Sequence, residues 1–115
     1  MSTLKQHPVF LGLDLGTGGV RAIAASGTGE VIAQSSASLD NAVIQTEAGR
    51  HEQDPAQWWR SVCEALQSLR ASLRALSINE ESLKAIAVDG TSGTLVCLDA
   101  DGIPVRPAIM YNDGR

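Results

Sequence analysis

The sequence predicts an α/β domain of three opening strands, one long helix and further strands, and three observations carry that reading. Three apolar runs of strand length open the chain, separated by the short glycine-bearing breaks GTGG and SGTGE. A long segment beginning DPAQWW then combines an acidic cap, a proline and one apolar stripe at helical spacing. After it the chain returns to short apolar runs, KAIAVDG, TLVCLDADG and VRPAIMYND, which read as strand, strand with a turn, and strand.

The first run, Val9 to Leu15, has apolar residues at both parities (Val9, Phe10, Leu11, Leu13, Leu15), the pattern of a strand covered on both faces and central in its sheet. Val20 to Ala25 and Val31 to Ser38 follow as antiparallel hairpin partners. Asn41 to Gln53 is polar and aperiodic, the signature of a surface loop, and within it His51 and Glu52 read as an exposed pair. Asp54 is the natural N-cap and Pro55 the first helical residue. Trp59, Val62, Cys63, Leu66, Leu69, Leu73 and Leu76 form the buried stripe, with Trp59 in the core and Trp58 partly exposed. Asn79 is placed to cap a short helical turn at Glu80 to Leu83. A sheet apolar on both faces needs cover on both, and one long helix supplies half of it; with the chain stopping at YNDGR, the expectation is a piece of a longer protein.

Composition limits the functions available. At 115 residues the chain is one domain at most and can bury roughly two thirds of its unfolded surface. With 43% hydrophobic residues and a net charge of −4 it carries no basic patch for nucleic acid. The amino terminus, with one lysine and a short apolar run before Asp14, is too little for a secretory signal or a membrane span, so a cytoplasmic location is expected. Cys63 and Cys97, without CxxC spacing or a histidine pair, read as buried, reduced and structural.

The chemistry is concentrated in Gly12 to Arg21, GLDLGTGGVR. Leaving a strand at Asp14, a tight glycine turn exposes successive backbone N–H groups that can converge on an anion, and Thr17 adds a hydroxyl. A carboxylate beside phosphate is repelled unless a divalent cation lies between them, so the pairing implies Mg²⁺. Arg21 adds a cation near the loop. On these residues alone a second reading stands equally open, in which the glycines make a hairpin and Asp14 caps it.

The segment GLDLGTGGVRA resembles the first phosphate-binding loop of the sugar kinase, Hsp70 and actin superfamily. HEQDPAQWW, AVDGTSGTLVCLD and PAIMYNDGR resemble segments of the FGGY carbohydrate kinases, in that family's order, and DGTSGT is most similar to D-ribulose kinase-like and xylulokinase-like members. The resemblance implies a ribonuclease H-like fold in two lobes. Residues 1–8 would be a tail, and 9–115 the N-terminal portion of the first lobe, with a mixed sheet and one long helix. It further implies an ATP-dependent kinase for a small sugar such as xylulose or ribulose. Asp14 would be the Mg²⁺-associated acid, with Gly16, Thr17, Gly18 and Arg21 at the phosphates. Thr91 and Ser92 would face the sugar, where Gly93 replaces the histidine of xylulokinases, and Asn112 and Asp113 would lie at the edge of the sugar pocket. Tyr111 replaces the usual tryptophan there, and Asp89 is either pocket lining or a turn acid. The catalytic base and the adenosine site are expected downstream, so no catalytic residue falls within these 115; the expected partners are sugar and ATP, with a homodimer of the complete protein.

Two rival readings remain at this level. An Hsp70-like ATPase shares the DLGT loop but gives DGTSGT and YNDGR no role. A non-catalytic fragment or interaction module is favoured by the missing cover.

Overall fold

The computed structural model describes residues 7–44 and 47–115. The first three strands form where the apolar runs lie: β1 (Val9–Leu15), β2 (Gly19–Ser26) and β3 (Val31–Ser38), joined as antiparallel hairpins. Farther along the chain, beyond two short strands and the helix, β6 (Leu83–Gly90) pairs parallel with β1, giving a mixed four-stranded sheet in the order β3-β2-β1-β6. β1 is thus central, as its two-faced apolar pattern requires.

One face of this sheet packs on α1 (Pro55–Ala75). Asp54 accepts a hydrogen bond from the Ala56 N–H and Pro55 opens the helix, as the sequence requires. Val62, Ala65, Leu69 and Leu73, spaced three and four apart, meet Val9, Leu13, Val20, Ala22 and Ala24 from the sheet. Small residues at the contact let the helix approach closely enough for Ser35 Oγ to donate to the Ala65 carbonyl and Ser61 Oγ to the Ser38 carbonyl, at 2.6 and 2.9 Å. The helix ends in a left-handed residue, Ser77, with Ser77 N–H bonded to the Arg74 carbonyl and Ile78 N–H to the Leu73 carbonyl, which reverses the chain while burying Ile78 beside Leu73.

Of the two tryptophans only Trp59 departs from its expected place; Trp58 is half-buried, in keeping with the partial exposure expected of it. Trp58, four residues before Val62 and seven before Ala65, lies in line with the buried stripe and packs on the core, whereas Trp59 is 68% exposed. Leu76 is exposed beyond the last helical turn. The turn at Glu80–Ser82 forms as a 3₁₀ turn, without a side-chain bond from Asn79.

Asn41 to Gln53 is more than a loop. A 3₁₀ turn at Asp40–Ala42 leads into β4 (Val43–Ile44), and β5 (Glu52–Gln53) pairs with β4 on one side and β7 (Ala108–Ile109) on the other. The expected strands in TLVCLDADG and VRPAIMYND shrink to β7 and an exposed ribbon, bridged at Leu95 with Ile109 and at Leu98 with Pro104 and closed by an Asp99 turn. With no second layer over this ribbon among the described residues, Leu98, Ile103 and Val105 stay exposed, as does Cys97, contrary to its expected burial; Cys63 is half-buried.

The helix covers one face of β1, β2 and β3 and, among the described residues, leaves β6 and the opposite sheet face uncovered. Ile86 and Val88 of β6 are exposed, Val88 by 64%. The opposite sheet face carries the exposed Phe10 and an open concavity lined by Gly12, Asp14, Arg21 and Asp89 among others. No helix among the described residues is long and apolar enough to cross a membrane.

Candidate functional site

The turn between β1 and β2 is the glycine loop, Gly16 to Gly18. It is closed by the Gly16 N–H donating to the Gly19 carbonyl at 2.9 Å, and the Leu39 N–H holds the Gly18 carbonyl at 3.1 Å. None of these glycines has a left-handed backbone. Gly16 and Gly19 are needed for close approach instead: a Cβ would lie 3.2 Å from the Gly19 oxygen at the first and 3.1 Å from the Ala37 oxygen at the second. At Gly18 a Cβ would meet nothing within 4 Å, so the missing side chain there leaves open space and no protein contact.

Thr17 is held from behind. Gln53 Nε2 donates to the Thr17 carbonyl at 2.9 Å, and Gln53 Oε1 accepts from Trp58 Nε1 at 2.7 Å, so the first turn of α1 is tied to the loop. Thr17 Oγ1 lies 3.3 Å from Thr91 Oγ1, and the Thr91 N–H donates to the Leu15 carbonyl at 3.1 Å where β6 runs out beside β1. The loop and the DGTSGT segment therefore touch. A cavity of about 180 Å³ is lined by Gly16, Gln53, Thr91 and Thr94, whose Oγ1 is buried without a hydrogen-bond partner. A second, of about 380 Å³, is lined by Thr17, His51, Gln53 and Asn112.

Asp14 and Asp89 are direct neighbours in the parallel pairing of β1 and β6, and Arg21 is the partner of Asp14 across β1 and β2. All three line the open concavity of about 630 Å³ on the uncovered sheet face. A hydrogen bond with Asp14, and the repulsion of its charge, push the Asp89 carboxyl above its ordinary pKa. Two carboxyls so placed form a donor set that a divalent cation fits, since it would replace the shared proton and remove the repulsion.

The sugar-side residues expected from the sequence divide. Thr91 and Asn112 reach cavities that also hold loop residues, whereas Ser92 is exposed and lines neither. Gly93 has φ +77° and a Cβ there would sit 3.3 Å from Tyr111 Cβ, so the backbone and its aromatic neighbour together favour glycine. Asp113 has its carboxylate filled by the His51 N–H and by the backbone and guanidinium of Arg115. The Arg115 bond and the His51 N–H hold its pKa well below the usual carboxylate range, and no lone pair is left for a sugar hydroxyl in this arrangement.

The sequence reading missed what supports this segment. Glu52, expected to be exposed, has a side chain only 6% exposed and lies within ion-pair distance of Arg50, Arg106 and Arg115, at 3.1, 2.5 and 3.6 Å. His51 is exposed as expected. No local pattern marks Glu52 as buried, because Arg106 lies 54 residues away.

Comparisons with known proteins agree with this arrangement. The family model for the FGGY carbohydrate kinases, N-terminal domain, matches residues 9–115. The chain is 36% identical over 107 residues to the xylulose kinase of Escherichia coli K12, covering 93% of this chain and 21% of that protein. It is 35% identical, with the same coverage, to a xylulose kinase of Staphylococcus epidermidis. The crystal structure of a xyloylose kinase from Brucella ovis superposes with a TM-score of 0.84 at 34% identity, over 93% of this chain and 22% of that one. That of xylulose kinase from Rhodospirillum rubrum gives 0.79 at 31%, over 93% and 21%. The chain thus spans about a fifth of the length of the relatives it matches, and the mixed sheet with its long helix is part of the ribonuclease H-like fold of sugar kinases. With its glycine loop touching the DGTSGT segment, this chain belongs to the FGGY family of carbohydrate kinases.

Proposed function

We propose that this chain serves as the N-terminal part of an ATP-dependent kinase that transfers the γ-phosphate of ATP to a hydroxyl of a small ketose, xylulose or ribulose. One observation carries the reading. Thr17, in the loop that would receive phosphate, and Thr91, in the segment that would face sugar, stand 3.3 Å apart at their hydroxyls, an arrangement that would bring donor and acceptor together at the end of β1. The kinship with xylulose kinases supports the ketopentose.

Phosphoryl transfer is mostly positioning and charge stabilisation. Gly16, Thr17 and Gly18 would present backbone N–H groups and one hydroxyl to the phosphates, with the open side of Gly18 giving the oxygens room to approach. Arg21 would lend positive charge from the neighbouring strand. Asp14 would hold Mg²⁺, which when bound neutralises charge on the phosphates, and the crowding of Asp14 against Asp89 supports a cation there. Thr91, Ser92 and Asn112 would line the sugar side, and Asp113 would serve it by fixing Tyr111 and Asn112 in place. The proton of the attacking hydroxyl needs a base, which this reading assigns to a part of the kinase beyond these residues, with the adenosine site. A cytoplasmic location and a homodimer of the complete kinase go with it.

The experiment is ADP release by the complete kinase carrying this chain, with D-xylulose, D-ribulose, glycerol and no sugar. Release that depends on a ketopentose is the expected result. Release indifferent to every sugar but raised by an unfolded peptide would favour the Hsp70-like reading instead.

A further inference from the structure

Two adjacent polar side chains on β5, Glu52 and Gln53, are both buried, at 7% and 4% exposure. Burial of such groups is costly unless each finds partners, and each does, in opposite directions. Gln53 joins the Thr17 carbonyl to the Trp58 indole; Glu52 faces Arg50, Arg106 and Arg115. The strand beneath them is fixed on both edges by β4 and β7, and the next residue, Asp54, caps α1. On the Glu52 side the Met110 N–H donates to the His51 carbonyl and the Gly114 N–H to the Gly49 carbonyl, so the whole segment from Met110 to Arg115 is docked on this strand.

We propose that β5 is a strut that sets the two halves of the cleft against each other, with Gln53 as the positioning residue for the phosphate loop and Glu52 as the positioning residue for the sugar-edge segment. The inference rests on the kinase reading above and names residues that the reading itself does not require. Its physical core is the planar peptide between Thr17 and Gly18. The peptide is trans, so its N–H points opposite to its C=O. Because Gln53 pulls the Thr17 carbonyl inward, the Gly18 N–H is aimed away from Gln53, on the residue whose Cβ side is open. Release of that carbonyl frees the peptide plane to rotate and takes the amide off its aim. Glu52 acts in the same way at a distance: it holds Arg115, Arg115 fills Asp113, and Asp113 accepts the His51 N–H, which seats Asn112 at the cavity it shares with Thr17.

The test is a set of conservative variants in the complete kinase, read by steady-state kinetics and by amide hydrogen exchange. Gln53→Leu removes the amide at nearly constant volume; it should raise the KM for ATP or lower kcat by about tenfold, the worth of one hydrogen bond held in a buried site, while the sugar KM stays within about twofold. Trp58→Phe, which removes only the indole donor, should move the same parameters less, and remains informative if Gln53→Leu does not fold. Glu52→Gln should do the reverse, raising the sugar KM about fivefold or more with the KM for ATP within about twofold. Exchange should quicken at Gly16 and Leu39, whose N–H groups close the loop on the Gly19 and Gly18 carbonyls, in the Gln53 and Trp58 variants, and at Asp113 to Arg115 in Glu52→Gln. Equal shifts in both KM values, or exchange that quickens at both sites or at neither, would overturn the strut. A wild-type protein that phosphorylates no sugar would sink the kinase reading, and the exchange pattern would still decide the strut.

Discussion

Two pairs of carboxylates sit in this small chain under opposite conditions. On the uncovered face of the main sheet, Asp14 and Asp89 stand side by side, and among the described residues neither is in an ion pair with a cation. At the small sheet, Glu52 and Asp113 are enclosed, each with a side chain 6% exposed, by arginines that fill them. The second pair is neutralised from within the chain and has nothing left to offer a ligand. The first is electrostatically incomplete, and a group left short of its counter-charge beside a glycine loop is placed to be completed by something that binds. Burial and pairing thus mark the structural carboxylates, and the metal-holding role proposed for Asp14 falls on the exposed pair whose charges repel.

The sharpest way to break this comparison is to neutralise one member of each pair. Glu52→Gln leaves three guanidinium groups facing a neutral amide. Loss of a fully buried partner costs about 3–5 kcal/mol, but the arginines here are 37–40% exposed and water screens them, so about 2 kcal/mol is expected from urea denaturation. A loss no larger than that of an ordinary surface substitution would return Glu52 to the exposed role that its sequence context implies.

One carboxyl of each pair, Asp113 and Asp89, should also titrate with opposite sign. Asp113 has a depressed pKa in the folded chain, so as pH falls below the ordinary carboxylate value of about 4 the unfolded state takes up protons first and stability drops; it is fully present above that value. Arg115→Met should flatten this acid limb in a series of denaturation curves. Asp89 has a raised pKa, so its contribution is present in acid and fades as pH rises through its folded value. The smallest effect follows: Asp89→Asn should raise the thermal midpoint slightly at neutral pH, and a lower midpoint would mean that the pair is a structural hydrogen bond without repulsion.

What the sequence revealed of this arrangement follows the reach of its signals. β1 and β3 were legible to the residue, because alternation, glycine breaks and hairpin length all act within a few positions. The helix start was legible for the same reason: Asp54 and Pro55 are adjacent to what they cap. Its end was not, since Ser77 does in left-handed conformation what a glycine usually announces. Trp58 and Trp59 could not be ordered by hydrophobicity, because one helical position separates core from solvent and the indole of Trp58 is drawn in by Gln53. Of the second sheet only β7 was legible, inside the run VRPAIMYND; β4 and β5 were not, as two-residue strands carry no period. In the site, the loop and Asp14 were visible as a local motif, whereas the roles of Gln53 and Glu52 depend on Thr17 and Arg106, partners 36 and 54 residues away.

The central claim is that Asp14 is kept uncompensated for catalysis and contributes nothing to holding the fold. One measurement addresses it: kcat for ketopentose phosphorylation and the thermal midpoint, determined together for Asp14→Asn in the complete kinase. The substitution keeps shape and the hydrogen bond to Asp89 while removing the charge. The account predicts a kcat lower by about a hundredfold or more, the scale of losing one charge-stabilising group in a transition state, with the midpoint unchanged or raised. A variant with near-normal kcat and a lowered midpoint would make Asp14 a turn cap and contradict it.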